Sequence, residues 1–247
     1  MNFNLFLNMN LIIDCGNTNL KYFVFKDNIL LFKNRFRWED EWESTIKKNF
    51  PDIKNILLSD VTGNYNKVDL EKNFSDKNIY EVKALNLPFK SNYNYKDLGD
   101  DRIGLIAAAI DKYPEENCLV IDAGSCLTFD LVSSKSVHEG GLISPGLLIR
   151  HKSLNQYTSS LPLINFEDKK MGIGKDTKNS IQNGILEGFI FEINGQIEKF
   201  KRKRPNLKVI LTGGDSKYLY KRIKNGIFAE QEFLASGLNN LLKCNNL

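Results

Sequence analysis

The stretch "LIIDCGNTNLKYFVF", residues 11–25, decides the fold because it sets a short polar break between two apolar runs. The first run predicts a buried strand from Leu11 to Ile13 that delivers Asp14 to its end. Gly16 lets the backbone turn tightly or lets a ligand approach it closely. The break is therefore either a simple hairpin turn or a binding site, and other parts of the sequence are needed to distinguish the two.

A second stretch, "CLVIDAGSCLTFDLV" at 118–132, repeats the pattern of the first. Asp122 takes the place of Asp14, and Gly124 takes the place of Gly16. Self-similarity half a chain apart indicates two related structural units.

A polar segment with a proline, "KYPEEN" at 112–117, separates the two copies and marks a domain boundary. We therefore predict an N-terminal half, residues 1–113, and a C-terminal half, residues 114–247. Residues 1–8 are expected to form a loose extension ahead of the first strand. Each hairpin is followed by alternating strands and helices, including a long helix from Thr177, which predicts an α/β fold. Each half would be a mixed sheet with flanking helices, with a cleft between the halves.

Composition excludes several classes of function. No run approaches the roughly 20 apolar residues of a membrane span, and the N-terminus lacks the basic region of a signal peptide, so we expect a cytoplasmic protein without a membrane partner. The net charge of +4 is modest, and its densest run, "KFKRKRP" at 199–205, is typical of a helix end rather than of a nucleic-acid site.

Four cysteines without CxxC spacing and only two histidines argue against zinc, disulfides and histidine-based catalysis. The chemistry must then rest on carboxylates, Arg, Lys and bound ions.

The polar turns are suited to nucleotide phosphates. An Asp-x-Gly-Asn-Thr turn offers backbone N–H groups and small polar donors to phosphate oxygens, and its carboxylate can hold a cation. Neither a P-loop nor a Rossmann fingerprint occurs. One such turn alone is commonly just a tight turn, but two copies favour a site. A third glycine turn, "LTGGD" at 211–215, could let an adenosine approach the backbone closely.

The segment "LGDDRIG", residues 98–104, opens a helix and allows two interpretations. Asp100 and Asp101 could simply cap the helix and complement its dipole. A cation in the first turn is mildly unfavourable, however, so Arg102 makes better sense if its planar guanidinium grips a carboxylate.

Six motifs in this order resemble type III pantothenate kinase: "DCGNTN", "GDDR", "DAGSCLTFD", "GGLISPG", "IGKDTKNSIQNG" and "TGGD". The resemblance runs from about Met9 to the C-terminus. It implies the acetate kinase, sugar kinase, Hsp70 and actin superfamily, whose members have two RNase H-like, or actin-like, halves. It also implies transfer of the ATP γ-phosphate to pantothenate, the first step of coenzyme A synthesis, by a homodimer.

The resemblance also implies roles for individual residues. Asp101 would be the catalytic base, and Asp122 would bind a monovalent cation, K⁺ or NH₄⁺. Magnesium would sit near Asp14, and Ser125 would contact the nucleotide. The ATP phosphates would lie on Asp14, Cys15, Gly16, Asn17, Thr18, Asn19, Leu20 and Lys21. Pantothenate would lie against Asn92, Tyr93, Gly99, Asp100, Asp101, Arg102 and Thr177.

The sequence departs from the family pattern near the substrate. Asn92 stands where the family often has a tyrosine, with Tyr93 next to it, and the charge of Asp100 is expected to raise the pKa of Asp101. Two other functions stay open: a different small-molecule kinase or phosphatase of the superfamily, or a catalytically silent ATP-binding regulatory protein. Gly184 and Gly188 on the long helix permit close helix packing, either within the chain or in a dimer.

Overall fold

A computed structural model describes residues 9–16, 20–36, 42–63, 65, 67–164, 172–220, 222–223, 227–228 and 232–247. The expected loose extension at 1–8 and the turn residues Asn17, Thr18 and Asn19 lie outside these ranges. The chain divides into two compact units, one of residues 1–114 and 232–247 and the other of residues 115–231. No helix in the described ranges is long and apolar enough to cross a bilayer.

The first unit holds a five-stranded mixed sheet with the strand order β3-β2-β1-β4-β5. Its strands are β1 (Met9–Cys15), β2 (Leu20–Lys26), β3 (Ile29–Phe36), β4 (Ile53–Asp60) and β5 (Asn78–Glu81). The first three strands form an antiparallel meander, and β4 and β5 continue the sheet in parallel. The helices are α1 (Glu43–Asn49), α2 (Lys67–Asn73) and α3 (Asp100–Lys112), with a short extended segment β6 (Lys90–Ser91) before α3.

The second unit repeats this topology. Its strands are β7 (Cys118–Ala123), β8 (Cys126–Val132), β9 (Val137–Pro145), β10 (Lys208–Thr212) and β11 (Ile227–Phe228). They lie in the order β9-β8-β7-β10-β11, again as an antiparallel meander extended by two parallel strands. The duplicated sheet confirms the two related α/β halves that the repeated sequence pattern predicts, and the RNase H-like halves that the family resemblance implies.

Two helices flank the second sheet, α4 (Leu147–Tyr157) and α5 (Thr177–Lys203). The apolar residues of α5 recur at helical spacing and are buried: Ile181, Ile185, Phe189, Ile193 and Ile197. The basic run falls in the last turn of α5, where cations complement the helix dipole, as the sequence indicated.

The last helix, α6 (Phe233–Cys244), belongs to the first unit. The sequence analysis left residues 232–247 with the C-terminal half, because they follow the last strands of that half. In the structure α6 packs on α3, where a Cβ atom at Gly237 would lie only 1.9 Å from the Gly104 carbonyl oxygen. Such close approach of two helix backbones requires glycine, and nothing local in the sequence identifies the partner.

Candidate active site

Each unit contains some of the residues that the sequence predicts to be functional. In the first unit, Asp14 and Asp60 lie at the carboxyl ends of β1 and β4. These strands are parallel neighbours, and Cys15 pairs in register with Asp60. The Asp14 carboxylate is nearly buried and accepts a hydrogen bond from Lys21 Nζ at 3.2 Å, across the β1–β2 hairpin. Lys21 of the first hairpin therefore acts as the cationic partner of Asp14 in the same hairpin.

Asp60 organises the loop that follows β4. Its carboxylate accepts hydrogen bonds from the backbone N–H groups of Thr62, Gly63 and Tyr65 at 2.8–3.1 Å and from the Thr62 hydroxyl at 2.7 Å. Its own backbone N–H donates to Asp100 Oδ2 at 3.4 Å. Asp60 thus links the end of the sheet to the start of α3. The sequence analysis missed it, although an acid at the end of the apolar run "NILLSD" is the same signal that identified Asp14.

Asp100, at the start of α3, is a carboxyl whose pKa its surroundings raise. Burial raises the pKa of Asp100 to about 6, against the opposing effects of the Asp60 N–H and Lys83, and the carboxylates of Asp101 and Asp60 add to the rise. The sequence analysis expected the raised pKa on Asp101. A raised pKa is found at Asp100, which is buried, whereas Asp101 is half-buried and the expectation for it stays a prediction.

The carboxylate of Asp101 folds back over the N-terminus of α3. Its Oδ1 accepts a hydrogen bond from the Arg102 backbone N–H at 2.7 Å. Gly99 makes room for this conformation, since a Cβ atom there would lie 2.5 Å from the same oxygen. A side chain at residue 99 would therefore displace the Asp101 carboxylate from this position.

Arg102 is 4% exposed, and its guanidinium lies over the ring of Tyr93 with 4.8 Å between Cζ and the ring centroid. A guanidinium over an aromatic face is a favourable cation–π arrangement. The substrate residues predicted in the first unit thus come together around the first turn of α3, with Asn92 exposed beside Tyr93. Asn92 stands where the family often has a tyrosine, and the ring of its neighbour Tyr93 packs against Arg102.

Two residues predicted to bind ATP turn their side chains into the core. Cys15 and Leu20 are buried in the hydrophobic cluster under the first sheet. Burial, together with the Asp60 and Asp14 carboxylates, raises the pKa of the Cys15 thiol. Any contact of these two residues with a nucleotide must therefore come from their backbone atoms.

In the second unit, Asp122 lies near the end of β7 among glycine turns. It pairs with Thr128 across the β7–β8 hairpin and with Thr212 of β10. A Cβ atom at Gly213, where φ is +93°, would lie 2.3 Å from Asp122 Oδ1. The third glycine turn therefore closes directly over the Asp122 carboxylate.

The start of α4 is held against the same hairpin. Ser125 is exposed, and its carbonyl oxygen accepts a hydrogen bond from the Gly146 N–H at 3.2 Å. A Cβ atom at Gly146 would lie 2.2 Å from the Gly124 carbonyl oxygen. Asp215 is a further acid that the sequence analysis quoted only within "LTGGD". Burial raises its pKa, opposed by a hydrogen bond from the Leu147 N–H that the carboxylate accepts at the start of α4.

Thr177 is the exposed first residue of α5. The preceding Asp176 caps the helix, accepting hydrogen bonds from the backbone N–H of Asn179 at 2.8 Å and from its side-chain amide at 2.6 Å. Within the described ranges, no three His, Cys, Asp or Glu side chains form a group that could hold a metal ion by themselves. A cation at Asp14 or Asp122 would thus need other ligands besides such side chains.

The family model of type III pantothenate kinase matches residues 10–199, which include both hairpins and the start of α3. The chain belongs to the type III pantothenate kinase family. A type III pantothenate kinase of Christiangramia forsetii is 43% identical over 96% of this chain and 99% of its own length. A type III pantothenate kinase of Flavobacterium psychrophilum is 40% identical over 94% of this chain and 98% of its own length.

Solved structures support the fold more widely. A Campylobacter jejuni protein of the Baf family aligns with a TM-score of 0.64 at 23% identity, over 96% of this chain and 100% of that one. Component A of (R)-2-hydroxyglutaryl-CoA dehydratase from Acidaminococcus fermentans aligns with a TM-score of 0.51 at 12% identity, over 96% and 97% of the two chains. At these identities the likeness shows the actin-like fold alone, which this type III pantothenate kinase family member shares.

Proposed function

We propose that the first turn of α3 carries the acceptor chemistry of an ATP-dependent pantothenate kinase. The family reaction, phosphorylation of pantothenate in coenzyme A biosynthesis, is the function that the family membership supports, and the chain is an enzyme of this class. The observation that carries the assignment of residues is the turn itself, where a half-buried Asp101 stands beside a buried Arg102 that is stacked on Tyr93.

Asp101 orients the pantothenate hydroxyl and accepts its proton late in the transfer. Phosphoryl transfer passes through a loose transition state, so in-line positioning and charge neutralisation matter more than a strong base. The short bond from the Arg102 N–H to Asp101 Oδ1 holds the carboxylate in one orientation. Gly99 contributes by leaving that oxygen its space.

Arg102 binds the pantothenate carboxylate. Its guanidinium is planar and presents paired donors that match a carboxylate, and the Tyr93 ring fixes the plane of that fork. Asn92 and Asp100 flank the same turn, and we assign them to the substrate site with Tyr93 and Gly99. A small acid suits this arrangement better than a neutral sugar, which argues against another superfamily kinase.

The two hairpin turns bind ATP. In the first unit the phosphates lie along Asp14 to Lys21, where Lys21 adds a positive charge that is already oriented by Asp14. In the second unit Ser125 contributes an exposed hydroxyl, and the close-packed glycines around Asp122 let a nucleotide approach the backbone.

The donor atoms at both aspartates fit hard cations, since carboxylate and carbonyl oxygens are the ligands that such ions prefer. Asp14 would hold Mg²⁺, and Asp122 would hold a monovalent cation, K⁺ or NH₄⁺. Bound there, the ions would offset phosphate charge that Lys21 alone cannot neutralise. The remaining ligands would be water and phosphate oxygens.

The active form is a homodimer in the cytoplasm, and α5 offers its contact surface. A stripe of Gly184, Gly188, Phe191 and Gly195 lies exposed along the helix, and Phe191 is 71% exposed. Among the described residues, no heavy atom outside the helix's own backbone lies within 4 Å of a Cβ atom built on any of the three glycines, so no described neighbour in the chain accounts for them. A protruding ring beside glycine gaps is self-complementary under two-fold symmetry.

Light scattering tests the dimer. Phe191→Glu should convert the protein to a monomer, whereas Tyr157→Glu, an equally drastic change at an exposed ring outside the stripe, should leave the dimer intact. A dimer that survives Phe191→Glu would rule out this surface.

Coupled measurement of ADP release, with and without pantothenate, tests the proposed function. A pantothenate kinase releases ADP only when pantothenate is present. Release that needs a different acceptor would indicate another superfamily kinase, release without any acceptor would indicate a phosphatase, and nucleotide binding without release would indicate the silent regulatory protein.

A further inference from the structure

The C-terminal helix α6 lies against the helix that carries the acceptor turn. At the crossing point, a Cβ atom at Gly104 would lie 2.7 Å from Leu234 Cδ1 and 2.9 Å from Leu238 Cδ2. On the other side, a Cβ atom at Gly237 would lie 1.9 Å from the Gly104 carbonyl oxygen and 2.8 Å from Ala108 Cβ. The contact has no space for even one extra methyl group, so a displacement of α6 must displace α3.

A network of buried side-chain amides connects α6 to β1, the central strand of the sheet in the first unit. Asn239 is 2% exposed, accepts a hydrogen bond from Asn10 Nδ2 at 2.9 Å and donates one to the Asp27 carbonyl at 2.7 Å. Asn10 in turn accepts one from Asn55 Nδ2 at 3.1 Å. Asn10 lies on β1, whose far end carries Asp14. Buried amides are costly unless they are paired, so this network specifies one position of α6 on the sheet.

The two ends of α6 are also attached to the first unit. Glu232, just before the helix, forms an ion pair with Lys33 of β3. After the helix, the Asn245 amide accepts a hydrogen bond from the Asn86 N–H at 3.0 Å and donates to the Asn86 carbonyl at 2.9 Å. Asn86 lies in the segment that leads to Tyr93. The helix is therefore fixed at its start, middle and end.

We propose that α6 is a positioning element for phosphoryl transfer, and that Gly237 and Asn239 are its positioning residues. This inference rests on the proposed function of the α3 turn. Gly104 is one helical turn from Asp101, so α6 sets the position of α3 relative to the end of β1, where Asp14 lies. A displacement of about 1 Å in a reacting group can cost roughly 100-fold in rate.

Gly237→Ala tests the proposal, because its methyl group must push α6 away from α3. We expect kcat to fall about 10- to 100-fold, on the scale of a misplacement near 1 Å. KM for pantothenate should rise, because Arg102 moves with α3, while KM for ATP should change little. Ser236→Ala, on the exposed side of α6, is the matched control and should keep native kinetics and stability.

Kinetics distinguish positioning from simple destabilisation. A loss of folded protein lowers the apparent kcat but leaves both KM values unchanged, so the rise in KM for pantothenate is the diagnostic result. Assays are run well below the unfolding temperature of each variant. Asn239→Ala serves as the second variant, because it removes both hydrogen bonds without adding bulk, and it should shift the same two parameters.

The outcomes separate the inference from the proposed function. Native kinetics in folded Gly237→Ala and Asn239→Ala, together with a lower unfolding temperature and an inactive Asp101→Asn, would overturn the inference alone. Native turnover in Asp101→Asn would overturn the inference together with the proposed function on which it rests.

Discussion

The hairpin of β1 and β2 and the hairpin of β7 and β8 share one sequence pattern, yet their aspartates have different neighbours. Asp14 faces Lys21 across its hairpin, whereas Asp122 faces the neutral Thr128. Around Asp14 the neighbouring elements contribute further charges, including Asp60 and Asp100. Around Asp122 they contribute glycines and carbonyl oxygens. A duplicated fold has thus produced one region built from charges and one built from close backbone packing.

The residues proposed for the acceptor lie in the charged region, whereas those proposed for the nucleotide lie in both regions. Charged groups that are held rigidly suit the acceptor, whose hydroxyl and carboxylate each need a specific partner. Bare backbone suits a nucleotide, which needs close approach and many weak donors. A substitution in one region should therefore have an effect that the equivalent change in the other region does not have.

The largest expected effect comes from the charged region. Asp101→Asn keeps the size of the side chain and can still accept the bond from the Arg102 N–H. It cannot accept a proton, so kcat should fall about 100-fold or more, the usual scale for a positioned acid or base. ATP affinity, measured by calorimetry, should stay close to native. Unchanged turnover would mean that Asp101 only caps α3.

In the glycine region, Gly213→Ala should weaken ATP binding and lower stability together. The new methyl group meets Asp122 Oδ1 at 2.3 Å, and the φ of +93° is strained for any residue with a side chain. We expect a loss of about 2 kcal/mol in the free energy of unfolding. Gly214→Ala is the control, since among the described residues no atom beyond its chain neighbours lies within 4 Å of its Cβ position, and its thermal unfolding should match the native protein. Equal unfolding temperatures for the two variants would contradict the close packing over Asp122.

Replacing Thr128, the cross-strand partner of Asp122, tests whether the different neighbours of Asp14 and Asp122 matter. Thr128→Lys gives Asp122 the cationic neighbour that Asp14 already has, so the enzyme should lose most of its response to added K⁺. Thr128→Met, which is long but uncharged, should keep that response. Activity is measured in sodium buffer over a potassium titration. If the two variants lose the response equally, bulk rather than charge is responsible, and the assignment of a cation to Asp122 loses its support.

A further expected effect is the pH dependence of stability set by Asp100. Its pKa is about 6 in the folded protein and near 3.9 in the unfolded chain. The folded state therefore binds more protons between these values, and stability falls as the pH rises from about 4 to about 6. Asp100→Asn removes this dependence. In urea unfolding, the free energy of unfolding of the variant relative to that of the native protein should therefore rise from about pH 4 to about pH 6 and stay constant above about pH 7. A constant difference from pH 4 to pH 8 would contradict the raised pKa.

Much of the site can be predicted from sequence because it rests on local patterns. An acid after an apolar run identified Asp14 and Asp122, and the acidic start of a periodic helix identified the turn at 99–102. These signals depend on strand and helix periodicity, which the residues themselves encode. The pairing of β1 with β2 and of β7 with β8 follows from the two hairpin patterns.

Other features depend on contacts between distant residues. Nothing near Gly237 indicates that α6 returns to the first unit, because the partner, Gly104, lies far away in the chain. The register that puts Lys21 opposite Asp14 and Thr128 opposite Asp122 depends on the length of each turn. The raised pKa of Asp100 was not predicted because it comes mainly from burial, which the sequence does not reveal.

The central claim, that the α3 turn recognises pantothenate, is tested most directly by a cycle across enzyme and ligand. Native enzyme and Arg102→Lys are each assayed with pantothenate and with pantothenol, which has an alcohol in place of the carboxylate. A charged hydrogen-bonded pair contributes about 1.5 to 3 kcal/mol, so Arg102→Lys should lose roughly 10- to 100-fold in affinity for pantothenate and little for pantothenol. Coupling between the two changes is the predicted result. Strictly additive effects would show that Arg102 does not contact the carboxylate, and would contradict the account of this turn as the substrate site.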